Sequence, residues 1–75
     1  MTNSRVAFIE VTRRETFWQC FVRDRGENVG AFRYEMEWRQ NGVHSYCQLF
    51  RCRDMAEQWA HHERDHIDQG HHDND

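Results

Sequence analysis

The sequence predicts an α+β domain: a four-stranded antiparallel meander with one C-terminal helix packed on one face, in the order ββββα. Three observations predict it. Four stretches of β-forming residues follow one another with turn signals between them. The third stretch alternates strictly between apolar and charged residues. After Arg53 the apolar period changes from that of a strand to that of a helix.

The first strand runs from Arg5 to Thr12 and holds Val6, Phe8, Ile9, Val11 and Thr12. The second runs from Thr16 to Arg23 and is rich in aromatic and β-branched residues. Asp24-Arg25-Gly26-Glu27-Asn28 then supplies turn residues. From Val29 to Arg39, Phe32, Tyr34, Met36 and Trp38 share one face, and Arg33, Glu35, Glu37 and Arg39 share the other. Asn41-Gly42 is a strong two-residue hairpin signal, and Val43 to Arg51 completes the sheet. Asp54-Met55-Ala56-Glu57 reads as a capping box with Asp54 as N-cap. Met55, Trp59, His62 and His66 recur at helical spacing, widened by Ala56, Ala60 and Ile67, and the helix is expected to stop near Ile67. Residues 1–70 form one domain in this reading, and residues 71–75 are a flexible polar His/Asp tail.

Side-chain parity tests the meander, because a slip of one residue inverts every side chain on a strand. A turn at Asn41-Gly42 pairs Trp38 with Ser45, Met36 with Cys47 and Tyr34 with Leu49. A turn centred on Gly26 pairs Cys20 with Phe32 and Trp18 with Tyr34. A turn at Arg13-Arg14 pairs Ile9 with Trp18, Ala7 with Cys20 and Val11 with Thr16. All three hairpins collect apolar residues on one common face for the helix to cover.

The opposite face then holds Val6, Phe8, Phe17, Phe21, Tyr46 and Phe50 among charged residues, with no segment left to cover them. Each large ring left in water forfeits roughly 1.5–3 kcal/mol relative to burial, and aromatics with Arg are what protein interfaces enrich. The expected partner-binding set is Phe8, Phe17, Phe21, Arg33, Glu35, Glu37, Tyr46 and Phe50, occupied by a protein partner or a second copy. Nucleic acid is the alternative, since open sheets also stack bases on aromatics, but Glu10, Glu35 and Glu37 would repel phosphate.

Charge divides along the chain. Residues 1–53 carry nine Arg against six acids, whereas residues 54–75 carry one Arg against seven. Lys is absent and the formal net charge is −3, too acidic for a dedicated DNA binder. The helix offers a second, acidic surface through Glu57, Glu63, Asp65 and Asp68, suited to Arg- or Lys-lined grooves.

Chemistry-bearing motifs are few. Cys47, Cys52, His62 and His66 read as C-x4-C-x9-H-x3-H, but the gap between the pairs is short for a zinc finger, and the two Cys have opposite parity. Zinc is therefore an alternative, and no cofactor is expected. The His-rich helix and tail read as a solvated face rather than a pH switch. No nucleophile elbow or phosphate loop is present, and Cys20 points into the expected core, so an enzyme is not expected. Three Cys argue against a closed disulfide framework. No apolar run approaches the length of a membrane span, and Met1 to Arg5 lacks an apolar signal region; the expected location is the cytoplasm.

In overall profile (size, a compact sheet with one helix, acidic balance and no catalytic signature) the chain resembles the small proteins that phages and mobile elements encode to inhibit host machinery, anti-CRISPR proteins included. The resemblance implies occlusion of a surface on a larger host complex. It carries over no individual residue, because those proteins share no common motif.

Overall fold

A computed structural model describes residues 4–70; the tail at 71–75 lies outside the described residues. The strands are β1 (Ser4–Arg13), β2 (Thr16–Asp24), β3 (Tyr34–Gln40) and β4 (Val43–Phe50), followed by helix α1 (Arg53–Asp68). The sheet is antiparallel in the order β1-β2-β3-β4. The helix covers one face, packing most heavily against β1. The fold is thus the two-layer α+β arrangement, ββββα.

Each hairpin departs from the expected register for a local reason. The first turn is Arg14-Glu15 rather than Arg13-Arg14, with Arg14 at φ 57°. The pairing moves by two residues and the faces survive: Val11 meets Trp18, Ile9 meets Cys20 and Ala7 meets Val22. Arg13 is freed from the turn, and its guanidinium donates to the Asp68 carbonyl at 3.2 Å, at the helix end where the macrodipole is negative. A bulge at Val6 turns that residue toward the core, not onto the open face.

The second connection is longer than expected and β3 begins at Tyr34. Asp24 organises it. The carboxylate accepts from Arg33 Nε and a second guanidinium nitrogen at 2.6 and 2.8 Å, and from the Gly26 N–H at 2.9 Å. Gly26 and Gly30 take φ of 93° and 84° around a single 3-10 turn, Glu27–Val29, a backbone that L side chains rarely adopt. Register moves by six residues, so Cys20 meets Trp38 and Val22 meets Met36. An even shift keeps the faces. Phe32, expected in the core, instead lies outside the strand, 45% exposed.

The third hairpin turns at Asn41-Gly42 as expected, both residues at positive φ. Beyond it a bulge at Ser45 shifts the register by one, so Trp38 pairs with Tyr46 and Tyr34 with Phe50. One extra residue inverts the rest of the strand. Tyr46 and Phe50, expected on the open face, therefore point inward; Cys47 and Leu49, expected in the core, point outward. The exchange buries a phenylalanine, 6% exposed, in place of a leucine.

Helix α1 starts earlier than its capping-box motif implies. Cys52 is the N-cap, its Sγ accepting from the Met55 N–H at 3.5 Å, and Asp54 falls in the first turn. The buried row is Ala56, Ala60 and Ile67. All three belong to the expected stripe, and the contact is confined to that side of it. Met55 and Trp59 are left 48% and 42% exposed. Alanines at the contact let the helix approach the sheet closely over Trp18 and Trp38, which meet edge to face at 6.4 Å. Trp38, Met36, Val22 and Cys20 are fully buried. The Trp38 indole N–H finds no acceptor among the described residues, a cost of about 1–3 kcal/mol set against the burial of its ring.

Candidate functional site

The sheet face that no other described residues cover is built around Phe21. Phe8 lies opposite it on β1, with ring centroids 5.0 Å apart. The guanidiniums of Arg23 and Arg39 lie 5.0 and 4.7 Å from the Phe21 centroid. Glu37, its partner across β3, ties the group together. It bonds Arg23 at 2.8 Å, Arg39 Nε at 3.1 Å and His44 Nδ1 at 2.8 Å. Glu35 adds a longer pair to Arg23 at 3.5 Å.

Glu37 is buried although it lies on the open face. Burial alone would raise its carboxyl; the hydrogen bonds from His44, Arg39 and Arg23 outweigh it and hold the group at about 2. The carboxylate is therefore ionised at neutral pH and only accepts, which places a proton on Nδ1 of His44. The ion pairs to Glu37 hold both guanidiniums beside the Phe21 ring. Cys47 and Leu49 extend the face across β4, Leu49 being 40% exposed.

Five of the eight expected partner-binding residues lie on this face: Phe8, Phe17, Phe21, Glu35 and Glu37. The other three do not. Tyr46 and Phe50 are inward for the reason given above, and Arg33 precedes β3 in its bidentate pair with Asp24. The expected partner-binding set also leaves out Arg23, Arg39, His44, Cys47 and Leu49, of which only Arg39 was assigned to this face from the sequence pattern. Arg23 and Arg39 had the right parity in the strand pattern; Cys47 and Leu49 became visible only with the bulge.

The acidic helix surface is divided too. Asp54, Glu57, His61 and Asp65 line a shallow outer groove, with Glu57 paired to Arg53 at 3.2 Å. Glu63 turns inward and is hydrogen-bonded to the Tyr46 hydroxyl; burial and this carboxylate push that phenol up. Asp68 is exposed at the helix end, its carbonyl held by Arg13. The candidate zinc ligands do not converge. Cys47 projects from the open face, while His62 and His66 ride on the helix across the sheet, their rings 4.3 Å apart. Among the described residues no group of three or more His, Cys, Asp or Glu is placed to hold a metal ion. No described helix is long and apolar enough to cross a membrane.

The class defined by the structure is a two-layer ββββα domain with an uncovered, aromatic and ion-paired sheet face. Comparison with family models, curated proteins and solved structures finds no match.

Proposed function

We propose that the protein is a non-enzymatic, cytoplasmic protein-binding module that acts by occlusion, as an inhibitor or regulator of a larger complex. The observation that supports this most is the uncovered sheet face, where the Phe8–Phe21 ring pair sits beside guanidiniums already fixed by Glu37. Aromatic and Arg side chains in a preorganised setting are the usual anchors of protein interfaces. The outer helix groove of Asp54, Glu57 and Asp65 adds an acidic surface for a basic patch on the same complex. Stacking of nucleic acid on the rings is the second reading. It is weakened because the guanidiniums that would meet phosphate already bind carboxylates.

The test is affinity capture with wild type, Phe8→Asp and Trp59→Asp as baits, each with its melt recorded. A protein retained by wild type and Trp59→Asp but lost by Phe8→Asp is the expected result. Equal capture by Phe8→Asp removes the sheet face as the binding surface. Capture of nucleic acid, with steep loss on adding salt, replaces the protein reading.

A further inference from the structure

We infer that, in the absence of the larger complex, the occupant of the open sheet face is a second copy of this chain, joined across a two-fold axis. The inference rests on the reading of that face as a protein-docking surface and names its partner. One row of the face runs Phe8, Phe21, Glu37, Cys47 across the four strands. Glu35 and Arg39 stand on β3 two residues to either side of Glu37, hence on the same face and on opposite sides of the row. A two-fold axis along the row lays the face on itself. Each Glu35 then faces the partner's Arg39, and the Phe8–Phe21 pair meets its own counterpart. Such a seam is isologous: its charge complementarity follows from the symmetry. Glu37 enters it already paired to Arg23 and Arg39, so two carboxylates on the axis row do not meet bare.

The edges of the sheet point the same way. Both outer strands carry a bulge, at Val6 in β1 and Ser45 in β4. Bulged edges are poor templates for strand addition, which favours the face over edge-to-edge pairing. Its size sets the strength. Four strands about 4.8 Å apart and about 26 Å long give about 500 Å² per copy. The total of about 1,000 Å² is at the lower limit of a specific interface, so a weak dimer is expected and its population should depend on concentration.

Sedimentation equilibrium over a range of concentrations, on the full chain, tests the inference. The wild-type mass should rise with concentration from one chain to two. Phe8→Asp, Glu35→Arg and Arg39→Glu should each remain monomeric where wild type is half dimeric, and Glu35→Arg/Arg39→Glu should regain the dimer. A readout without surface charge changes uses Cys52→Ser. There a short bis-maleimide should join Cys47 of one copy to Cys47 of the other, and Cys47→Ser should abolish the product. A wild type that is monomeric throughout, or a dimer indifferent to Phe8→Asp without a Cys47 cross-link, overturns the inference. If wild type is monomeric yet Phe8→Asp loses a captured protein, the docking reading survives without the dimer. If capture is also unchanged, both fall.

Discussion

Asn41 and Phe17 exchange two hydrogen bonds: the Asn41 N–H donates to the Phe17 carbonyl at 2.7 Å, and Asn41 Oδ1 accepts from the Phe17 N–H at 2.8 Å. The first extends the β2–β3 ladder by one rung past Trp18 and Gln40. The second is a side chain standing in for a backbone carbonyl. Asn41 does this from φ 51°, which Asn tolerates better than most L residues. One residue thus forms the β3–β4 turn and fastens it to the neighbouring hairpin.

Substitution separates those two roles. Asn41→Gly keeps the turn and loses the side-chain bond, and should cost about 0.5–1 kcal/mol in urea unfolding. Asn41→Ala keeps a Cβ at positive φ without the short polar side chain that lets Asn tolerate it, and should cost about 1–2 kcal/mol more than Asn41→Gly. Equal stabilities for the two variants would mean that the backbone conformation is not the constraint.

The Ser45 bulge makes a paired prediction about adjacent residues. Phe50→Ala empties a core position and should cost about 3–5 kcal/mol. Leu49→Ala, on the outer face, should cost under about 1 kcal/mol. The unshifted register would reverse the order, so the comparison checks the inversion of β4 directly.

The depressed Glu37 carboxyl links stability to acid. Its folded value of about 2 lies below the ordinary 4.5, so it stabilises the fold fully above about pH 4.5. That contribution is lost as the pH falls from there toward 2. The full shift corresponds to about 3 kcal/mol, which partial solvent contact reduces to something on the order of 2 kcal/mol. Melts across this window should fall steeply for wild type and with less slope for Glu37→Gln. Parallel curves would show that the ion-pair cluster does not carry the acid sensitivity.

The three thiols should divide by accessibility. Cys47 and Cys52 are exposed, whereas Cys20 is buried and its thiol is pushed up to about 12 by burial. A chromogenic disulfide reagent at neutral pH should titrate two groups rapidly and the third only after denaturant is added. Rapid reaction of all three would place Cys20 outside the core.

Much of this fold was legible in the sequence because parity survives even shifts. The first two hairpins moved by two and six residues, yet Ile9, Val11, Trp18, Cys20, Met36 and Trp38 stayed on the covered face. Tyr46 and Phe50 were misplaced by a single inserted residue. A bulge at a serine has no reliable local signature, and its energetic motive, burying Phe50, is a tertiary one. Ala56, Ala60 and Ile67 were legible as part of the helix stripe, but Met55 and Trp59 were counted with them because Trp and Met are more hydrophobic than Ala. Close approach of the helix to two tryptophans favours the small residues at the contact instead. Of the site, the rings of β1 and β2 could be read from alternation. The Arg23–Glu37–Arg39 cluster needed the cross-strand register, which no pattern within one strand supplies.

Among the described residues α1 is the sole cover of the inner sheet face, and it follows every strand in the chain. During synthesis all four strands therefore emerge from the ribosome before the layer that shields Trp18 and Trp38 from water. A chain cut before Arg53 would lack that layer, and its two indoles would be left to water.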